Sequence, residues 1–245
     1  MAYRTVAQSW GLSKWGLAGV LLAPSYPVRA LNGARFAEEI RTEAVTRIEA
    51  NERRRLLARD ARFGVTLHGD TLVVSADSVS LGEVADGRSR AIDTDGFVGG
   101  RYRLTLDSTG LATLWQRPFV PDELAEVSDV GRAMDDFFPP LPPRIVPLGE
   151  ATDRAGRHWR RLGDSSGVQR FRWSHRSSGD GAQVVADTVP ALVQEATREE
   201  SALAWTVARG PLAWTRQIES NVTTRLRGRT IRASVVQRIV VSRTR

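Results

Sequence analysis

Apolar and polar residues alternate along run after run of this chain. A period of two commits a backbone to strands whose side chains point by turns into a core and into water. Tyr102-Leu104-Leu106 and Leu111-Thr113-Trp115 place six side chains on one face around Asp107-Ser108-Thr109-Gly110, a turn signal. Val65-Thr66-Leu67 and Thr71-Leu72-Val73-Val74 flank His68-Gly69-Asp70 in the same way, and Ala202 to Val207 and Leu212 to Ile218 flank Arg209-Gly210-Pro211. Ile218, Val222 and Leu226 then face Ile231, Val235 and Ile239 across Arg227-Gly228-Arg229, so a last paired strand is expected to reach Val241. Pairing Leu106 with Leu111 sets Tyr102 opposite Trp115, and pairing Val207 with Leu212 sets Trp205 opposite Trp214. The strands expected from Gln169 to Ser174 and from Gln183 to Val189 are separated by Ser177-Ser178-Gly179-Asp180-Gly181, which reads as a loop.

Two stretches depart from this pattern. Phe36, Ile40, Ala44 and Ile48 recur every four residues, which fits a helix over 36–59 as well as a strand. The β-branched residues Ile40, Thr42, Val45, Thr46 and Ile48 favour a long hairpin that turns at Asn51-Glu52 and returns from Leu56 to Leu67. Between Asp122 and Phe138, Leu124, Val127, Val130, Met134 and Phe137 keep a helical spacing that predicts one or two short helices. Phe137-Phe138-Pro139-Pro140-Leu141-Pro142-Pro143 must end them, because proline lacks the N–H donor and restricts the residue before it.

The expectation is therefore a mainly β fold: a large curved antiparallel sheet or sheets, or an open half-barrel, with one or two short helices packed on the concave side. Residues 31–245 form a single domain of two layers, 31–138 and 148–245, joined by the Pro-rich crossover 139–147.

Arg4 and Lys14 precede an apolar run from Trp15 to Ala23, with Val28-Arg29-Ala30 as a small-residue site, the layout of a secretory leader over 1–30. The run is too short to span a bilayer, so the expected protein is exported, periplasmic or extracellular, and is not an integral membrane protein. The leader holds three of the 35 basic residues and no acid, which leaves 32 positive against 28 negative, a net +4 out of the total +7. Every Lys or Arg after Lys14 is arginine, a uniformity that speaks of codon usage and not of a nucleic-acid partner.

Absences exclude whole chemistries. Without cysteine there is no thiol nucleophile, disulfide, zinc–thiolate site or iron–sulfur cluster. Without lysine beyond residue 14 there is no P-loop lysine or Schiff base. Asp93-Thr94-Asp95-Gly96 resembles a fragment of a calcium loop, but Ala91 and Tyr102 stand where that loop needs carboxylates. His68, His158 and His175 lack metal-ligand spacing, and Gly163-Asp164-Ser165-Ser166-Gly167, although it spells Gly-x-Ser-x-Gly, reads as a turn and not as the strand-to-helix elbow of a serine nucleophile. Glu123, Glu126, Asp129, Asp135 and Asp136 read as a solvated helix face. No catalytic residue, metal or cofactor is therefore expected. The aromatic residues leave one positive proposition: Tyr102, Trp115, Met134, Phe137, Phe138, Trp205 and Trp214 lining an apolar cavity between a bent sheet and a helix, with a packed core as the alternative.

The order of leader, long hairpins, Phe-Phe-Pro-Pro-Leu-Pro crossover and further long strands resembles uncharacterised secreted β-rich proteins of bacteria. More remotely it resembles the lipoprotein-carrier fold, in which a curved antiparallel sheet wraps helices over an apolar cavity. The resemblance spans most of residues 35–245 and implies a non-enzymatic binding module for an apolar small molecule, lipid or lipidated partner, with 122–138 as a lid. The alternatives are a structural or assembly protein of the envelope, solid in its core and binding other envelope proteins, and a hydrolase with a dispersed serine or carboxylate site.

Overall fold

The computed structural model describes residues 25–125, 128, 130–185, 189–226 and 228–244. The alternation is realised as twelve strands of one antiparallel sheet. They are β1 (Arg35–Ile48), β2 (Asn51–His68), β3 (Thr71–Ala85), β4 (Arg88–Ile92), β5 (Arg101–Leu106), β6 (Ala112–Gln116), β7 (Glu150–Thr152), β8 (His158–Ser165), β9 (Val168–Val185), β10 (Val189–Thr206), β11 (Gly210–Leu226) and β12 (Arg229–Thr244). The spatial order is β6-β5-β3-β2-β1-β12-β11-β10-β9-β8-β7, with β4 beside β3. The sheet is open: β6 and β7 lie at its two ends.

The first and last strands pair along their whole length, Arg35 with Thr244 and Ile48 with Ile231. The two halves of the chain are thus flanks of one sheet, seamed by β1 and β12. Residues 35–68 form the hairpin that β-branching favoured over a helix, although its turn comes two residues earlier, at Glu49-Ala50, with Glu49 at φ 56°. Asp86-Gly87 and Ser166-Gly167 both adopt positive φ at their two central residues, the mirror-image turn whose twist matches that of paired strands.

Three sequence expectations are corrected. Ser177–Gly181 is not a loop but the middle of β9, paired with Val193–Thr197 of β10. β8 pairs with β9 only as far as Ser174, so beyond it β9 is an edge strand that meets no packing demand, and small polar residues suffice there. The reversal into β10 falls between Val185 and Val189, across residues outside the described set. Trp205 pairs with Pro211 and Trp214 with Leu203, because the hairpin closes at Thr206 and Gly210 and not at Val207 and Leu212, and a bulge between Ala204 and Trp205 shifts the register once more. Likewise Leu106 pairs with Ala112 and Tyr102 with Val74, and an irregularity at Arg103/Leu104 leaves Trp115 unmatched.

The predicted helices shrink to a single turn, α1 (Asp122–Ala125), and a 3₁₀ turn at Val130–Arg132. The Tyr102 hydroxyl donates to the Val130 carbonyl and Arg117 Nη1 to that of Gly131 at 3.1 Å, tying this segment to the sheet through side chains. Leu124, Val130, Met134 and Phe137 are all buried, so the spacing marked the inward residues correctly, although among the described residues only one helical turn and one 3₁₀ turn form. Val127 lies outside the described residues.

One face of the sheet carries the core. Phe36 of β1, Phe63 of β2 and Trp214 of β11 point to it, and the chain from Phe137 to Pro147 crosses over them. Phe137 is the hub, with ring centroids 5.8, 5.3, 5.1 and 5.5 Å from Phe36, Phe63, Phe138 and Trp214, all edge-to-face. Each such pair adds about 0.5–1.5 kcal/mol beyond its buried area. A second cluster stacks Trp159 on Trp173 at 4.7 Å, with Phe171 beside Trp159. The Trp159 indole N–H donates to Asp153 at 2.9 Å. At the N-terminal end, Tyr26 packs edge-on against Trp205 at 5.4 Å, and Leu31 is fully buried.

Candidate functional site

Six of the seven residues expected to line a cavity, Tyr102, Met134, Phe137, Phe138, Trp205 and Trp214, lie within the apolar core. Trp115 does not join them: it is 70% exposed and its indole N–H reaches only the Thr105 hydroxyl at 3.3 Å. The hub rings fill the space between the sheet and the 128–138 segment with their own edges. Open space lies to either side of it.

On one side is a polar cavity of about 580 Å³ beneath residues 128–137. Its floor comes from inward positions of β1, β2, β11 and β12, among them Glu38, Ile40, Arg59 and Arg216. Arg59 Nη2 lies 2.9 Å from Glu38 Oε2, and both residues are buried. Burial pushes the Glu38 carboxyl above the usual carboxylate range; the charge and hydrogen bonds of Arg59 counter this without overcoming it, and Asp136 adds to the rise. Arg216 bridges Glu199 at 2.9 Å and Asp136 at 2.6 Å. Burial lifts the Glu199 carboxyl, but the Arg216 guanidinium and hydrogen bonds from Arg216, Ser201 and Trp173 outweigh it and hold it below its ordinary value. Asp135 takes Arg117 and Arg132 as partners. The acids of this cavity are thus held by arginines, and the cross-links pin the 128–137 segment to the sheet.

The sequence carried a usable signal for this cavity. Glu38 shares the parity of Phe36 and Ile40, Arg59 that of Ala61 and Phe63, and Arg216 that of Trp214 and Ile218, so each charge stands on the inward face.

On the other side the Pro-rich crossover overhangs β9 and β10 and encloses an apolar cleft of about 540 Å³. Leu141, Pro142, Ile145, Phe171 and Trp205 form its walls, with Val146 and Val207 at the rim. Val207 is 78% exposed and Val146 nearly as much, so the mouth of the cleft is flanked by two apolar side chains. Arg161 crosses one wall, where it donates to the Ile145 carbonyl at 2.6 Å and pairs with Asp164.

The remaining residues singled out in the sequence carry no such surroundings. Asp93 Oδ1 accepts from the Asp95 N–H at 2.9 Å, an Asx turn, and among the described residues no cluster of His, Asp and Glu could hold a metal. His158 stands 3.4 Å from Thr152 Oγ1 and 3.5 Å from Glu150, an alignment of hydroxyl, imidazole and carboxylate. It lies on an exposed hairpin, at separations longer than proton transfer requires. Glu126 and Asp129 lie outside the described residues. No helix among the described residues is long and apolar enough to cross a membrane.

No family model matches the chain, and no curated protein matches it. Among solved structures it is similar to one described as the crystal structure of MucB in complex with MucA(peri), at 11% identity over 86% of this chain and 90% of that chain, with a TM-score of 0.12.

Proposed function

We propose that this chain is a non-enzymatic binding module, working outside the cytoplasm, that takes an apolar chain such as the acyl group of a lipid or lipidated partner into the cleft under the Pro-rich crossover. The observation that carries the reading is the cleft itself: about 540 Å³, walled by Leu141, Pro142, Ile145, Phe171 and Trp205, and open at a rim of exposed valines. The volume lies within the roughly 300–1,000 Å³ typical of small-molecule sites. Each methylene withdrawn from water into it contributes about 0.8 kcal/mol, so a short acyl chain suffices for appreciable affinity. The prolines hold the overhang in place without a ligand, which lowers the ordering cost of binding.

The test is titration of the full chain with a dansyl-labelled fatty acid, together with lipid analysis of the purified protein. Saturable fluorescence enhancement is expected in the wild type. Val207→Glu and Val146→Glu, at the exposed rim, are expected to weaken it about tenfold or more while leaving the melting temperature unchanged. Absence of saturable enhancement and of co-purifying lipid overturns the proposal.

A further inference from the structure

The sheet runs on well past its covered part. The farthest sheet positions bordering the polar cavity on β1 and β12 are Thr42 and Gln237, yet β1 continues to Ile48 and β12 begins at Arg229. Cross-strand partners share a face, so the register defines what the sheet presents there. Successive rows on the core face read Ala44-Val235-Ser220, Thr46-Ala233-Val222 and Ile48-Ile231-Thr224 across β1, β12 and β11. These small and β-branched side chains are half-buried by their sheet neighbours, and Ile48 is 40% exposed. A Cβ added at Gly179 or Gly181, on the β9 side of the same rows, would meet no atom within 4 Å. The three central strands thus present a mostly apolar ledge.

Its flanks are of opposite charge. In the Thr46 row, Arg53 stands on β2 beside Thr46, and Glu195 on β10 beside Val222. Both are exposed, and they are equidistant from the central strand β12. A two-fold axis along β12 that lays one ledge face to face on another therefore brings Arg53 of each copy over Glu195 of the other. It also stacks Ile231, Ala233 and Val235 on their own counterparts. We infer that this ledge is the self-complementary interface of a homodimer, two sheets packed face to face around β12. Strands about 4.8 Å apart and a rise of about 3.4 Å per residue give the five strands from β2 to β10, over the five residues from Ala44 to Ile48, a projected area of about 410 Å² per copy. Two copies together bury about 820 Å², the size of a weak, reversible contact, and two-fold symmetry makes each flank serve twice.

The experiment is sedimentation of the full chain across a concentration series. A reversible dimer is expected. Arg53→Glu and Glu195→Arg should each raise its dissociation constant by about tenfold or more, by setting like charges opposite one another, and the double exchange should restore it. Ala233→Arg should abolish it, whereas Val236→Arg, next to Val235 in sequence but on the opposite face of the strand, should leave it unchanged. A monomer at every concentration overturns the inference, as does a dimer indifferent to Arg53→Glu and Glu195→Arg or lost in Val236→Arg.

Discussion

Tyr26 offers the sharpest test of how the core is assembled, because its ring and its hydroxyl act with opposite sign. The ring is 4% exposed, packs on Trp205 and lies so close to Gly110 that a Cβ there would fall 2.4 Å from it. The hydroxyl is buried and has no hydrogen-bond partner, and burial alone drives the phenol far above its usual pKa. An unmade hydrogen bond in the interior costs about 1–3 kcal/mol. Tyr26→Phe removes that cost without opening a void and is expected to stabilise by about 1 kcal/mol, the low end because neighbours relax. Cutting the ring back to a methyl group costs about 3–5 kcal/mol, so Tyr26→Ala should fall about 2–4 kcal/mol below the wild type. In a chain of this length 1 kcal/mol moves the midpoint by about 2–4 °C, which puts the phenylalanine variant about 2–4 °C up and the alanine variant roughly 5–15 °C down. Thermal and urea unfolding followed by tryptophan fluorescence and circular dichroism would measure both. A loss of 1 kcal/mol or more in Tyr26→Phe would show that the hydroxyl is bonded and refute the reasoning. The same ring bears on processing: cleavage after Ala30 would remove it together with Val28 and the Ala30 carbonyl that accepts from Arg243, so a chain starting at Leu31 should melt at least as low as the alanine variant.

Three further outcomes follow from the packing and charge of the core. Phe137→Ala, at the centre of four ring contacts, should cost about 3–5 kcal/mol, whereas Trp115→Ala at an exposed site should stay within about 0.5 kcal/mol of wild type by chemical denaturation. Arg59→Met strands Glu38 as a buried, unpaired carboxylate and should cost about 3–5 kcal/mol, while the double change Glu38→Leu with Arg59→Met should recover most of it, since two matched apolar groups need no partner. Glu199 has a folded-state pKa below its unfolded value, so its contribution to stability is present above the unfolded pKa and is lost as pH falls through the folded one; unfolding titrations from neutral to acid pH should show a shallower acid limb in Glu199→Gln, and an unchanged limb would contradict the assignment.

What the sequence determined by itself was everything governed by neighbours a few residues apart. The period of two in β5, β11 and β12 and the β-branching of 35–48 specified strands, because side-chain direction along a strand depends only on counting. The parity of Glu38, Arg59 and Arg216 with the aromatic residues beside them already placed three charges on the inward face. Tertiary structure decided whatever depended on an extra residue or a distant partner. The hairpin closed at Thr206 and Gly210 and not at Val207 and Leu212, and the bulge at Ala204/Trp205 shifted the pairing once more, so Trp214 came to lie opposite Leu203 and not Trp205. Ser177–Gly181 became strand because β10 supplied backbone partners, which composition cannot register. The described part of the 122–138 segment kept its inward residues but only short helical turns, and side chains brought from β5 and from Arg117 tie its Val130 and Gly131 carbonyls to the sheet. The seam of β1 with β12 joins the two ends of the described chain, and with it the ledge came from contacts between residues some two hundred positions apart, while the cleft came from laying the crossover over strands tens of residues further on, where local patterning carries no signal.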